Sequence, residues 1–222
     1  MSSSILKKLT NLFKRDPIPY DFKSSSSYWI NRYVNGGNSG AGSYNHLARF
    51  KAEVINSFVK TNNINSVIEF GAGDGNQLRY ADYPQYIGVD ISQTAVELCR
   101  ALFRNDPAKQ FMLLSDYSEV RCELALSLDV IFHLVEDEIF SDYMHRLFRA
   151  ATRFVIIYSS NTPENTQLDA PHVRHREFTR WVDNNAPDWR FLQKIANPYP
   201  YNGDYKTTSF SDFYLYRNIT IK

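Results

Sequence analysis

The chain has 222 residues, 43% of them hydrophobic and 22% charged, which suits one globular domain able to bury its core without disulfides or metals. Its 25 Lys+Arg against 24 Asp+Glu leave a net charge of +1, so there is no global pull toward nucleic acid or anionic membrane. Cys99 and Cys122 make neither a disulfide framework nor a zinc site, and no apolar run reaches the roughly 18 residues of a membrane span.

Residues 1–27 read as a tail and linker. Ile5, Leu6, Leu9, Leu12 and Phe13 fall near helical spacing with Lys7, Lys8, Lys14 and Arg15 between them. That pattern suits either a frayed helix resting on the domain or a basic segment touching a partner or membrane surface. It lacks the apolar stretch and cleavage site of a secretory signal, and a cytoplasmic location is the expectation. Pro17, Pro19 and the run Ser24–Ser27 read as linker.

Residues 28–222 read as a single domain, with a helical cap over 28–60 and an α/β core over 64–222. Tyr28, Trp29 and Tyr33 mark a first helix. A second runs from Tyr44 to Lys60, with Leu47, Phe50, Val54, Ile55, Phe58 and Val59 at helical spacing. Between them, Gly36–Ser43 holds four glycines in eight residues and cannot be a stable helix; it reads as a lid or a simple connector.

From residue 64 strand and helix patterns alternate. Strands are expected at Ser66–Phe70, Tyr86–Asp90, Gln110–Leu114, Leu124–Val130, Arg153–Tyr158, Arg190–Ile195 and Phe210–Arg217. Helices are expected at Thr94–Phe103 (capped by Ser92), Glu138–Ala150 and Glu177–Asn184. This alternation implies an α/β fold with a seven-stranded, mostly parallel sheet and helices on both faces.

The first strand runs straight into Gly71-Ala72-Gly73-Asp74-Gly75. Such a turn, at the carboxyl end of a central strand, lies where open α/β sheets bind ligands. Nineteen residues after Gly71, the second strand ends in Asp90, placed to accept hydrogen bonds from a ribose diol. A dinucleotide site prefers G-x-G-x-x-G; here Asn76 holds the third-glycine position. Glu69 adds a negative charge that opposes a phosphate and suits a cation or an amino group.

The stretch Glu69-Phe70-Gly71-Ala72-Gly73-Asp74-Gly75 resembles motif I of the class I (Rossmann-like) S-adenosylmethionine-dependent methyltransferases. The resemblance covers residues 64–160. The flanking Tyr28-Trp29, Arg32-Tyr33 and Gly36-Gly37-Asn38-Ser39-Gly40 resemble a narrower bacterial group that serves sugar or cell-surface glycan modification. The resemblance implies S-adenosylmethionine as cofactor and S-adenosylhomocysteine as product. It implies that Gly71, Gly73 and Gly75 wrap the methionine part and that Glu69 orders the site near the amino group. It also implies that Asp90 holds the ribose and Ile91 packs on adenine, with Asp116 accepting from the adenine amino group beside Tyr117. Arg32 is placed to reach the cofactor carboxylate.

The fourth strand continues into Asp129 and His133, a place that in this family lines the cleft beside the methyl group. Four residues apart, they share a face on a helical turn, a carboxylate–imidazole pair suited to general-base work on a hydroxyl. His172-Val173-Arg174-His175-Arg176 reads as a basic rim for an anionic or sugar acceptor, with His175 a further catalytic candidate. His172 and His175, with Asp129, have metal-ligand spacing, but no acidic cluster accompanies them and no metal is expected. Tyr199 and Tyr201 lie on a loop expected on the ligand side, either stacking on a sugar or packing the loop. The expected function is O-methylation of a sugar, glycan or other small metabolite, with no nucleic-acid partner. Two alternatives stand beside it: an NAD-dependent oxidoreductase on a similar sheet, and a non-catalytic cofactor-binding partner subunit.

Overall fold

A computed structural model describes residues 22–165 and 170–220; the basic pattern of the first 21 residues lies outside them. Two helices open the fold: α1 (Ser25–Val34) and α2 (Asn45–Thr61). The core follows as β1 (Val67–Phe70), β2 (Tyr86–Asp90), α3 (Gln93–Leu102), β3 (Lys109–Leu113), β4 (Cys122–Leu128) and α4 (Asp137–Ala150). It closes with β5 (Ala151–Ser159), α5 (Phe178–Asn185), β6 (Trp189–Ile195) and β7 (Asp212–Asn218). The strands form one seven-stranded sheet in the order β3-β2-β1-β4-β5-β7-β6, parallel from β3 through β5, with β7 antiparallel to both its neighbours.

Side chains alternate across a strand, so each apolar run feeds two cores. Ile68, Phe70, Ala125, Val155 and Ile157 pack under α4 and α5 against Phe140, Met144, Leu147, Phe178 and Val182. Val67, Leu124, Leu126, Phe154 and Ile156 face the other way, onto Ile55 and Val59 of α2 and Val96 and Cys99 of α3. Ser92 caps α3, its hydroxyl accepting from Ala95 N at 3.3 Å. No helix among the described residues is long and apolar enough to cross a membrane.

The serine run is a correction to the linker reading. Ser24 is the N-cap of α1, in a reciprocal capping box with Ser27, so Ser25–Ser27 form its first turn. Short hydroxyl side chains satisfy a helix's first free N–H groups as readily as they populate linkers. Ser25 then docks α1 on the core: its N–H and hydroxyl donate to the Glu136 carboxylate at 3.0 and 2.6 Å.

The two cores predict a contrast. Leu126→Ala, at a fully buried position, should cost about 2–5 kcal/mol in urea unfolding. Val34→Ala, on the exposed face of α1, should stay within about 0.5 kcal/mol.

Candidate active site

The carboxyl ends of β1, β2 and β4 open into a cleft of about 260 Å³, roofed by α1 and the glycine-rich segment 36–43. The turn after β1 is held from two sides. From below, Asp90 accepts from Gly73 N and from Ser92 N, both at 2.9 Å. From above, Asp74 accepts from Ser39 N at 2.9 Å and from the Tyr44 hydroxyl at 2.7 Å, and returns its own N–H to Ser39 Oγ. Gly73 is at φ +61°, and a Cβ there would lie 2.3 Å from Ser39 Oγ. Only glycine permits both that backbone and that approach. The segment 36–43 therefore lies directly over the turn.

The polar floor is deeper than the motif implies. Glu69 is buried and accepts from the Tyr86 hydroxyl at 2.7 Å; burial pushes its carboxyl up to about 7. Burial likewise raises Asp90 above the ordinary carboxylate value. Lys51, on α2, is fully buried, and its ammonium pairs with Asp129 Oδ2 at 2.7 Å. Asp129 Oδ1 accepts from the Ser211 hydroxyl at 2.9 Å. Gln77 also lines the cleft; its Nε2 donates to Ala48 O at 2.9 Å, while its buried Oε1 has no partner among the described residues. Lys51 was legible: with Leu47, Ile55 and Val59 it sits at a four-residue spacing on the apolar stripe of α2. A lysine on a core stripe marks a buried charge with a purpose. Gln77 and Asp74 carry no such signal.

Asp129 and His133 both line the cleft but do not form the expected pair. β4 ends at Leu128, and Asp129 sits at φ +57°, so no helical turn spans 129–133. The Asp129 carboxylate goes to Lys51 and Ser211. His133 ends a short 3₁₀ turn, and its Nδ1–H donates to the His172 carbonyl at 2.9 Å. That bond fixes the tautomer and leaves Nε2 with its lone pair. The His133 ring meets the edge of Trp29 at 4.8 Å and stacks on His172, which stacks on Tyr28 at 4.1 Å. Burial lowers His133 to about 3 and His172 to about 4, so both are neutral near pH 7.

Glu69, Gly71, Gly73, Asp90 and Ile91 line the cleft, whereas Gly75 does not: a Cβ there would meet Cys99 and Phe103 at 3.0 Å on the far side of the turn. Several other candidates stand outside its walls, each occupied elsewhere. Arg32 donates to Asn38 O at 2.6 Å and to the Tyr28 hydroxyl, bracing the lid instead of reaching inward. Asp116 is exposed at the end of a 3₁₀ turn, Tyr117 donates to Val120 O, and Leu114 takes the wall position. Arg174 and Arg176 pin the 134–137 segment through Val135 O and Asp137, so their charge is spent on chain geometry. His175 Nδ1 is at 2.7 Å from Ser160 Oγ, between Phe132 and Phe210. Tyr199 packs on His46 and Phe50, and Tyr201 on Phe210.

Residues 68–156 match the family model of a methyltransferase domain. No curated protein matches the sequence. Among solved structures, the chain is similar to magnesium protoporphyrin IX methyltransferase from Synechocystis PCC 6803 with bound S-adenosylmethionine. That likeness has a TM-score of 0.57 at 13% identity over 97% of this chain and 92% of that one. It is also similar to the N-methyltransferase NodS from Bradyrhizobium japonicum WM9 in complex with S-adenosylhomocysteine (TM-score 0.67, 9% identity, 88% and 99% covered). A third is the CurJ carbon methyltransferase (TM-score 0.56, 13% identity, 77% and 54% covered). At these identities the likeness is one of fold.

The buried Glu69 carboxyl predicts a pH dependence. Its folded value, about 7, lies above the ordinary 4.5. The neutral form therefore contributes stability that is present below pH 4.5 and lost as pH rises through 7. In urea unfolding, Glu69→Gln should gain stability relative to wild type between pH 5 and pH 8; equal behaviour at both would contradict the assignment.

Proposed function

We propose a hydroxyl oxygen as the methyl acceptor of this class I, S-adenosylmethionine-dependent methyltransferase, carried by a sugar, a glycan or another small metabolite. The observation behind this reading is His133: a neutral imidazole on the cleft wall, with its proton fixed on Nδ1 and Nε2 available.

The donor set fits the cofactor. Asp90 keeps lone pairs beyond its two backbone bonds, enough to hold a ribose diol. Ile91 and Leu114 offer apolar walls for adenine, and Glu69 lies below the glycine turn where an amino group would be received. When bound, S-adenosylmethionine supplies a methyl group already activated by its sulfonium. What remains for the protein is alignment, which can supply roughly 7–11 kcal/mol of barrier reduction. The His133 Nε2 would accept the hydrogen bond of the acceptor hydroxyl and orient it, taking on its proton only in passing because burial holds the imidazole near 3. Trp29 closes the same wall, its ring in edge contact with His133 and covered by the Arg32 guanidinium at 5.5 Å. The Tyr28–His172–His133 stack keeps the imidazole from turning away. The tyrosines and arginines that pointed to a sugar stand outside the cleft, so the support for a sugar is the resemblance of the cap segments.

The reading is tested by S-adenosylhomocysteine release with a panel of hydroxylated sugars, phenols, amines and carbon acids. Turnover should be found among the hydroxyl compounds. His133→Ala should lower kcat by up to about tenfold, the worth of one orienting hydrogen bond, while S-adenosylhomocysteine affinity changes little. Turnover confined to amines or carbon acids, or undiminished in His133→Ala, would contradict it.

A further inference from the structure

An exposed apolar side chain that stands singly is ordinary, but four here come as two pairs on adjoining helices. Ile30 and Val34 on α1 are 38% and 63% exposed, and Leu98 and Leu102 on α3 are 40% and 45% exposed. The members of each pair are four residues apart and share one face of their helix. α1 lies against α3, so the two pairs stand on one side of the protein. None of the four lines the cleft. The charges beside the α3 pair decide what fits there. Glu97, and Arg104 just past the end of the helix, are exposed and seven residues apart, close to two turns, so they flank the leucines on the same side. Glu97 accepts from Gln93 of its own helix at 2.7 Å, and among the described residues neither charge has an ion-pair partner. Arg100, between them, is turned away and gives Nε and Nη2 to Phe111 O at 3.1 and 2.7 Å.

We infer that this face of α3 and α1 is a dimer interface whose occupant is a second copy of the chain. Two α3 helices meeting antiparallel across a two-fold axis set Leu98 of one against Leu102 of the other. Glu97 then falls beside Arg104 of the second copy, and the symmetry makes the same ion pair twice. Leu98 and Leu102 form the centre of the contact. Ile30 and Val34 form its rim, where truncation costs little. The other exposed apolar pair lacks this complementarity. Phe191 and Leu192 stand on the edge strand β6, where antiparallel self-pairing centred on Leu192 sets Arg190 against Lys194 of the second copy. The inference goes beyond the methyl-transfer reading and does not depend on it.

Sedimentation velocity of the full chain over a concentration series tests this. Wild type should be a dimer at about 10 μM, since interfaces of standard size hold at micromolar concentration or below. Leu98→Asp combined with Leu102→Asp should raise the dimer dissociation constant at least about 100-fold. Glu97→Arg alone and Arg104→Glu alone should each raise it about tenfold or more, because each sets like charges together twice. The double exchange, Glu97→Arg with Arg104→Glu, should restore the wild-type constant, a rescue that a purely apolar contact does not give. An unchanged far-ultraviolet circular dichroism spectrum reports an intact fold in each variant. A wild type still monomeric at about 100 μM assigns the face to another occupant and overturns the inference. A dimer indifferent to the leucine substitutions, or one that the double exchange fails to restore, overturns it as well.

Discussion

The site depends on a five-residue turn, Gly71–Gly75, that two carboxylates hold with its three glycines at positive φ. Asp90 ties the turn to the end of β2 by taking the Gly73 and Ser92 N–H groups. Asp74, inside the turn, takes the Ser39 N–H and the Tyr44 hydroxyl from the lid. The second clasp makes the cap part of the site instead of an appendage. With Tyr33 bonded to Ser39 and Asn76 to Ser43, the N-terminal helices and the motif become one unit over the cleft. Gly73 is the point of closest approach, where a single methyl group would collide with Ser39.

The electrostatics of the cleft divide it in two. On the α2 side lie the buried Lys51 and Asp90, the half-buried Asp129 and the weakened acid Glu69, a floor suited to a ligand bearing both signs. On the α1 side the wall is Trp29, His133 and Leu134, and its histidine carries no charge near neutrality because burial forbids it. Breaking a buried ion pair such as Lys51–Asp129 by removing one partner typically costs about 3–5 kcal/mol, so the floor is a structural commitment as well as a binding surface.

Much of this was legible in the chain. The seven strands and the helices between them follow from apolar runs and helical spacing, and their observed bounds differ by a residue or two. Motif I and Asp90 located the cleft because glycine φ and carboxylate spacing are local properties. The misreadings share one cause: a side chain's partner is set by tertiary contact, which spacing does not encode. Ser24–Ser27 look like linker until Glu136 is brought under them. Asp129 and His133 look like a pair until a left-handed residue breaks the turn between them. Arg32, Arg174 and Arg176 look available until backbone carbonyls claim them. Lys51 was the missed opportunity, since its place on the apolar stripe of α2 is visible at a four-residue spacing.

The central claim is that this turn, with Asp90 and the buried floor, is built for an S-adenosyl ligand and not for a nicotinamide dinucleotide. Thermal unfolding with saturating S-adenosylhomocysteine, with NAD and with neither tests it most directly. A ligand at about 100 times its Kd stabilises by roughly 2.7 kcal/mol, a rise of several degrees in Tm for a domain this size. The account predicts that rise with S-adenosylhomocysteine alone. A rise with NAD alone, or with neither ligand, would contradict it.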